Sequence, residues 1–558
     1  MEKLWVKASV IAALVAFSSG VITAHHFNQI YPFLMLGTLA AAFVLLPPMF
    51  GLRHRASYLL VLSTLVMISV GLRIVIFEWP VGLIGIDPQV YAVWVDQILS
   101  TGFTDGQSVT GFYSVAAAFT TFSAINAHIL GKSAATSLAI YSLIIGFSAP
   151  VFAAIITHRF TDLSKPYTGA LVAAMLATFI AASIRYSFIP IAQTISAVYL
   201  AMFVFFLGKY ITNRGNRYLG LTTLTMIGLA FSHKTPMIYV VAIAGFTFII
   251  DIIQRSRASG GIQVSKSVFA VGALGAVVLY LQMVITRYFQ TAVFHVAIID
   301  EVEPVAIVTP PHAVPTISVD YASLVFNIHI ITLFVLAGLA WILIFMFDLN
   351  DNSTVILGAA SGVVFVTVVG AMTGTAGFNR ATSYGGMFLA IVIVAALFRG
   401  HPDGRSRQAI YSGLVIGAVA ILLVSNLGAP LVAPDSDPKP RDYLTASEHH
   451  GIFFADRYID ATVELDHYAY RVGHPHDLAP RDTSATYSQN TTAILHGEEM
   501  KGEYVLLRPS EDVYRAQQPA PVRFWRLTWE PTEIYNKEQS LIYNSGGSVI
   551  YRGDSGDD

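Results

Sequence analysis

The chain has 558 residues, of which 54% are hydrophobic and 12% are charged, and its formal net charge at pH 7 is −2. Soluble domains carry roughly 25% charged residues, so this composition indicates a protein that crosses a membrane many times. The absence of cysteine excludes disulfides, thiolate metal sites and thiol nucleophiles, and the near-neutral charge excludes a basic nucleic-acid-binding surface.

Apolar runs of helical length recur along most of the chain and predict about 13 transmembrane helices. A transmembrane barrel would instead show alternating segments of about 10 residues. The predicted fold class is a multi-spanning α-helical membrane protein with a C-terminal extracytoplasmic α+β domain. The predicted spans are 5–24, 30–47, 58–77, 135–157, 166–184, 191–211, 217–232, 235–253, 266–288, 325–347, 354–373, 383–399 and 408–427.

The first large loop between spans, residues 78–134, contains the stretch Gly85-Ile86-Asp87-Pro88-Gln89-Val90-Tyr91. After Pro88, apolar residues recur at the helical period and predict a short amphipathic helix that lies along an interface rather than across the membrane. The members of this stripe are Tyr91, Trp94, Val95, Ile98 and Leu99. An isolated carboxylate held at the membrane surface suits lipid-linked chemistry. Asp followed by Pro is equally a helix start, with Asp87 as N-cap, and the two roles can coexist.

Residues 110–127 are apolar enough to span but are rich in Ser, Thr and Ala. If they do not cross, alternate loops collect most basic residues, and the positive-inside rule places the N-terminus in the cytoplasm. If they cross, the basic clusters fall outside. We therefore expect a second surface helix here, and we expect the Asp87 loop and the C-terminal domain to be extracytoplasmic.

A second outer loop, 289–324, contains the acids Asp300, Glu301 and Glu303 followed by a proline-rich stretch, which predicts an ordered flap or a lid. The composition changes after Leu427. We expect a membrane domain over 1–428 and a polar α+β domain over 429–558. Within the polar domain the sequence predicts a helix over 446–458, a strand near 504–508, a hairpin over 540–551 and a glycosylation sequon at Asn490.

Basic residues also occur at the ends of spans that this topology places outside. Ionisable groups at membrane depth are costly, and this makes them candidates for function. Together they could clamp a phosphate, whereas any one of them could instead snorkel to lipid headgroups. These residues are Arg73, Arg185, His233, Lys234 and Arg380.

Together these features resemble the GT-C superfamily of membrane glycosyltransferases, which use polyprenyl-phosphate-linked or dolichyl-phosphate-linked sugars. The similarity covers nearly the whole chain as architecture plus short motifs. The stretch Phe231-Ser232-His233-Lys234 and the closing sequence Ile542-Tyr543-Asn544-Ser545-Gly546-Gly547 are similar to archaeal members.

The resemblance implies roles for particular residues. Asp87 matches the loop carboxylate that acts as general base on the acceptor hydroxyl, or positions it, while the lipid phosphate leaves. The implied phosphate-binding residues are Arg185, His233, Lys234 and Arg380, which would stabilise the leaving phosphate. Tyr91 and Tyr113 are implied as wall or hydrogen-bonding residues.

The chain departs from the family in two respects. Pro88 follows Asp87 where many relatives have a second acid, and the Trp-Trp-Asp-Tyr-Gly signature of oligosaccharyltransferases is absent. Transfer of a whole glycan to asparagine is therefore not expected. Because no clear second metal-binding acid is found, we expect no metal site and no cofactor, with Asp300, Glu301 and Glu303 as the acids that could bring a divalent ion.

The sequence thus predicts an integral membrane enzyme that moves one sugar from a polyprenyl-phosphate donor to an acceptor glycan or glycoprotein outside the membrane. The main alternative is a transporter or flippase of lipid-linked glycans, for which internal repeats and charges near the midplane are typical. No repeat between the halves is evident. A glycan polymerase or ligase would carry Arg and His in its large outer loop, and residues 289–323 contain no Arg. A non-catalytic envelope scaffold is the remaining alternative.

Overall fold

A computed structural model describes the chain in segments. These are residues 2–27, 52–74, 83–102, 118–180, 187–213, 215–233, 235–261, 264–285, 313–315, 321–347, 349–372, 378–399, 444–466, 468–470, 486–496, 502–509, 511, 513–515, 524–532 and 539–553, with residues 37, 39, 40, 43, 44, 184 and 417. The predicted spans 30–47 and 408–427 lie almost wholly outside them. Every other predicted span coincides with a helix.

The membrane part consists of helices in chain order. They are α1 (Glu2–Phe27), α2 (Arg55–Ile74), α3 (Ile86–Thr101), α4 (Ala118–Leu130), α5 (Ala134–Phe160), α6 (Pro166–Phe179), α7 (Ala192–Asn213), α8 (Asn216–Ser232), α9 (Pro236–Ser259), α10 (Lys266–Ile285), α11 (Tyr321–Phe347), α12 (Asp351–Met372) and α13 (Phe378–Leu397). Among the described residues, 8 helices are long and apolar enough to cross a membrane: α1, α2, α5, α7, α9, α10, α11 and α12. The protein is thus a multi-pass membrane protein, as predicted.

The core of the bundle depends on small residues that let helices approach closely. Gly358 and Gly362 lie one turn apart on α12 and face α9, where a Cβ at position 362 would lie 2.6 Å from the backbone nitrogen of Ile243. Small residues spaced by four are the usual means of close helix packing in membranes, because apolar burial gives no driving force between helices in lipid.

The predicted surface helix near 88–101 is α3, and its apolar stripe faces protein. Tyr91, Trp94 and Val95 are at most 6% exposed. Tyr91 and Trp94 cluster with Phe119 of α4 and Tyr141 of α5, and Val95 clusters with Ala124 and Ala127 of α4. Leu99, which the periodicity placed in the same stripe, is exposed. The helix α4 (Ala118–Leu130) is 13 residues long and corresponds to the second predicted surface helix.

The C-terminal part contains the helix α14 (Ala446–Tyr458), at the predicted bounds, and a short helix α15 (Thr491–His496). A five-stranded sheet has the order β3-β2-β4-β8-β7, and its strands are β2 (Thr462–Leu465), β3 (Thr486–Gln489), β4 (Tyr504–Leu507), β7 (Ser540–Asn544) and β8 (Val549–Arg552). The predicted hairpin is confirmed: β7 and β8 pair antiparallel, and Gly546 has a φ of 85° in the turn. The Oδ1 of Asn490, the sequon residue, accepts a hydrogen bond from the Ala493 N–H at 3.3 Å, and the glycosylation of this residue stays a prediction.

A second sheet joins the two parts of the chain. Strand β1 (Ala313–Pro315), from the second predicted outer loop, pairs antiparallel with β6 (Phe524–Leu527), which also pairs with β5 (Val513–Arg515). Ala313 is buried among C-terminal residues that include Leu507 and Tyr551. Residues 313–315, between α10 and α11, are therefore part of the C-terminal fold.

Candidate active site

Asp87 lies in the first turn of α3 with its side chain exposed. The helix begins at Ile86, its N-cap is Gly85, and no side-chain capping hydrogen bond is formed. The predicted capping role of Asp87 is therefore wrong, because the φ of 96° at Gly85 lets the helix start two residues earlier. The carboxylate remains near the positive end of the helix dipole and is open to a substrate.

The turn before Asp87 packs on the segment that leads into α7. A Cβ at Gly85 would lie 3.1 Å from Cγ2 of Ile189 and 3.3 Å from Cδ of Pro88. Leu83, Tyr91 and Ile191 share one buried cluster on the two sides of this contact. The position of Asp87 is therefore set by residues 187–194, which we call the α7 lead-in.

The α7 lead-in also contacts two other helix ends. The Arg73 Nε–H at the end of α2 donates to Ser187 Oγ at 2.9 Å, and the Gln193 amide donates to Ser383 Oγ of α13 at 3.1 Å. The ends of α2 and α13 therefore meet at the same end of the bundle as Asp87. We call this the Asp87 end.

A buried polar group lies at the junction of α8, α9 and α13. The His233 side chain is 7% exposed and its Nδ1 lies 3.2 Å from the Tyr384 hydroxyl. The Thr235 N–H donates to the same Nδ1 at 3.2 Å, so Nδ1 is an acceptor and a neutral ring carries its proton on Nε2. Gln282 of α10 donates to the carbonyls of Ala230 and His233 at 2.7 and 3.2 Å.

This polar group is connected to the α7 lead-in. Ser196 and Ser232 lie 3.0 Å apart between α7 and α8, and Ser383, the partner of Gln193, precedes Tyr384 on α13. His233 is therefore linked to the region of Asp87 through neighbouring side chains at one end of the bundle. The arrangement can place polar donors and one exposed carboxylate beside a substrate at the membrane surface.

Of the other predicted site residues, the structure describes Tyr91 fully and Arg380 only in its backbone. Tyr91 is 5% exposed, and its ring packs edge-on against Trp94 and Phe119 at centroid distances of 5.3 and 5.1 Å. Arg380 lies in the first turn of α13, three residues before Ser383, but its side chain lies outside the described part. Tyr113, Arg185 and Lys234 also lie outside the described residues.

Several polar residues of this region were not predicted from the sequence. They are Gln193, Ser196, Ser232, Gln282, Ser383 and Tyr384. The signal that could have identified them is a hydrogen-bonding side chain inside an apolar span, which needs a partner in the membrane.

The described residues contain no group of three or more His, Cys, Asp or Glu side chains that could hold a metal ion. Asp300, Glu301 and Glu303, which the sequence left as metal candidates, lie outside those residues. The expected metal-independent reaction therefore stays a prediction.

Comparison with solved structures identifies proteins whose fold is similar to that of this chain. The apo oligosaccharyltransferase of Archaeoglobus fulgidus is 12% identical, with a TM-score of 0.51 over 81% of this chain and 70% of that chain. The same enzyme tethered to an acceptor peptide with an NVT sequon gives 12% identity and a TM-score of 0.50 over 81% and 69%. ArnT from Cupriavidus metallidurans bound to undecaprenyl phosphate is 9% identical, with a TM-score of 0.49 over 90% and 99%. No protein-family model and no curated protein sequence matches the chain.

Proposed function

We propose that this chain, whose fold is that of the GT-C superfamily, is a membrane glycosyltransferase that transfers a sugar from a polyprenyl-phosphate-linked donor to an acceptor hydroxyl. The observation that carries the proposal is the exposed Asp87 carboxylate, held on the α7 lead-in at the end of the bundle where the buried His233 group also lies. A fold supports many functions, and function depends on the residues of the site.

The chemistry proposed is a single displacement at the anomeric carbon. Asp87 takes the proton of the acceptor hydroxyl while the acceptor oxygen forms its bond to the anomeric carbon. The bond from that carbon to the phosphate oxygen breaks, and the lipid phosphate leaves with the electron pair. A general base contributes about 10² to 10⁴ in rate, and this step needs one on the acceptor side.

The departing phosphate gains negative charge and needs donors on the opposite side. Arg185, His233, Lys234 and Arg380 are proposed for that role, and Tyr91 and Tyr113 for the wall of the site. The position of Arg380 one turn from Ser383, and of Lys234 directly after His233, supports this assignment. Preorganised donors aimed at developing charge are the usual means of stabilising such a leaving group.

The substrates proposed are a polyprenyl- or dolichyl-phosphate sugar as donor and a glycan or glycoprotein as acceptor. The solved structure of the archaeal relative contains a tethered acceptor peptide, which supports a macromolecular acceptor for this fold. The missing Trp-Trp-Asp-Tyr-Gly signature favours transfer of one sugar over transfer of a whole glycan.

The orientation proposed places the N-terminus in the cytoplasm and the Asp87 end outside, with the C-terminal domain from about residue 429 on the same side. Basic residues at the helix ends opposite to Asp87 support it, because positive charge is retained in the cytoplasm. Lys209, Arg255 and Arg257 lie near the C-terminal ends of α7 and α9, and Arg53 and Arg214 adjoin α2 and α7 in sequence.

The experiment that tests the function compares wild type with Asp87→Asn in transfer of radiolabelled sugar from membrane-extracted polyprenyl-phosphate donors. We expect a fall of about 10² to 10⁴ in rate with an unchanged melting temperature, because Asp87 is exposed and caps nothing. The matched control is Asp96→Asn, a second exposed carboxylate on the same helix, which should transfer normally. Equal transfer by Asp87→Asn would remove Asp87 from the chemistry. Transfer by neither protein from any donor would favour the transporter alternative.

A further inference from the structure

The guanidinium of Arg73 is buried completely at the Asp87 end of α2. Arg73 has no exposed surface, its Nε–H donates to Ser187 Oγ at 2.9 Å, and Nη1 donates to Ser69 O at 2.8 Å and Ser69 Oγ at 3.0 Å. Nη2 has no hydrogen-bond partner within the described part of the chain. The snorkelling that could explain a basic residue at a span end is excluded here, because no part of the side chain reaches the surface.

Burying the charge of Arg73 costs desolvation free energy. A buried guanidinium needs an anion or a full set of acceptors, and the hydrogen-bond acceptors of Arg73 among the described residues are two hydroxyls and one carbonyl, all neutral. Among the described residues no carboxylate pairs with it. A Met, which is unbranched and apolar, would fill much of the space at a lower cost in free energy. Arginine must therefore contribute something that apolar packing does not.

Space for the side chain is provided from the opposite helix. A Cβ at Gly146 of α5 would lie 2.8 Å from Cδ of Arg73 and 3.0 Å from the carbonyl oxygen of Ser69. Glycine there lets the Arg73 stem pass between α2 and α5 toward residue 187. A side chain at position 146 would therefore require the Arg73 stem or the α2 backbone at Ser69 and Val70 to shift.

The Arg73 guanidinium binds the first residue of the α7 lead-in, Ser187. Ser187 Oγ accepts from Arg73 and donates to the carbonyl of Ile184 at 2.6 Å, while the Phe188 N–H donates to the same carbonyl at 3.3 Å. Ser187 is 1% exposed. One hydroxyl therefore both receives the charged donor and, with the Phe188 N–H, closes the turn that ends at Phe188 onto the Ile184 carbonyl.

The same turn leads directly to the contact with the Asp87 loop. Ile189 follows it by one residue and packs against Gly85, two residues before Asp87. Thr194 Oγ1 donates to the Ile189 carbonyl at 2.6 Å, which fixes the other side of that residue to α7. Arg73 is thus linked to the Asp87 backbone by a hydrogen bond, a closed turn and a packing contact.

We propose that Arg73 is a positioning residue for the transfer reaction, which acts through Ser187 to hold the α7 lead-in and with it the carboxylate of Asp87. The inference rests on the proposed function for its kinetic consequence. Its structural part, that the Nε–Oγ bond fixes the Asp87 loop, is independent of the reaction.

The kinetic test compares Arg73→Lys, Ser187→Ala and Ser187→Thr with wild type, with turnover and donor KM measured separately. Lysine keeps the charge but has no donor at the Nε position, so both Arg73→Lys and Ser187→Ala should lose roughly tenfold to a hundredfold in turnover. Their donor KM should change by less than about threefold. Ser187→Thr keeps the hydroxyl and should restore most of the activity.

The matched control is Ser69→Ala, which removes one acceptor of Nη1 but leaves the Ser69 carbonyl and the Ser187 bond. It should transfer like wild type. A rise in donor KM at unchanged turnover in Arg73→Lys would show direct donor binding and overturn the positioning role. Normal turnover in Ser187→Ala would overturn it as well.

A second measurement needs no activity. The chain has no cysteine, so nitroxides attached to Asp87→Cys and to the exposed Lys132→Cys report the distance across the Asp87 loop by pulsed electron resonance. The distance distribution should broaden in Arg73→Lys and Ser187→Ala and stay narrow in Ser69→Ala and Ser187→Thr. Equal widths in all proteins would overturn the proposal. If wild type transfers nothing, the proposed function fails while this comparison still decides whether Arg73 holds the loop.

Discussion

The Tyr384 hydroxyl of α13 lies 3.2 Å from Nδ1 of His233 at the end of α8, and both residues are buried. This contact joins two helices whose sequences lie far apart and orients the imidazole with the help of the Thr235 N–H. A histidine held through Nδ1 can present only Nε2 to a substrate.

Tyr384→Phe removes one of the two groups at Nδ1. We expect a loss of about 1 kcal/mol in stability, since one buried hydrogen bond is lost while Thr235 still donates. Transfer should fall by about tenfold or less, because His233 stays in place but is less restrained. The measurements are melting temperature and transfer rate in detergent. Tyr210→Phe, a buried tyrosine near the other end of α7, is the control and should transfer normally.

Gly85 and Gly102 flank α3 and form a natural matched pair. Both have positive φ, at 96° and 81°, but a Cβ at 85 would press on Ile189, whereas at 102 nothing lies within 4 Å. Alanine should lower stability at both positions through backbone strain, by about 1 kcal/mol at Gly102, which is in the left-handed region, and by more at Gly85, whose φ of 96° and ψ of 159° are adopted essentially only by glycine. Only Gly85→Ala should also lower transfer. Equal transfer by the two variants would show that the Gly85–Ile189 contact does not set the position of Asp87.

The sequence predicted the outline of this fold well and the site only in part. Apolar runs, the α3 stripe and the β7–β8 turn are local patterns, and local patterns locate helices and hairpins. The start of α3 was misplaced because Asp87-Pro88 has the composition of a cap, while the deciding feature was the φ of Gly85. The capping role was a local inference overruled by the contact with Ile189.

The contacts of Arg73 and Tyr384 could not have been predicted from the sequence alone. Each joins helices that are distant along the chain, and a single sequence contains no information on which faces meet. Arg73 was identified from its charge, but its burial and its bond to Ser187 depend on the packing of α2 against α5. The pairing of β1 with β6 could not be predicted from the sequence for the same reason.

Arg508 is buried in the C-terminal fold with three carboxylates. Its Nε and Nη2 donate to Asp466 at 2.8 and 2.9 Å, and Nη1 lies 3.4 Å from Glu511 and 3.8 Å from Glu448. Arg508→Met leaves these acids without a cation, so we expect a loss of about 3 to 5 kcal/mol in domain stability. Arg552→Met, an exposed arginine on β8, is the control and should change the melting temperature little.

The pH dependence of stability should include a contribution from Asp96. Partial burial on α3 raises the pKa of this carboxyl above its ordinary value of 3.8. A raised pKa in the folded state means that the protonated form is favoured, so Asp96 costs stability once the pH rises through that pKa. Asp96→Asn should therefore melt slightly higher than wild type at pH 7. The difference should disappear as the pH falls toward 4, and it should be small because the side chain is still exposed.

The pairing of β1 with β6 has a consequence for folding during synthesis, because β1 is made long before β6. Ala313 leaves the ribosome long before its partner Leu527, and helices α11, α12 and α13 are made between them. The β1 segment must therefore remain without this partner until the last part of the chain is made. A nascent chain released before β6 would keep the helices up to α13 but would lack β6, β7 and β8, and an expressed C-terminal fragment would expose an open strand edge where β1 belongs. A synthetic peptide of the 309–317 sequence should bind such a fragment and suppress its aggregation.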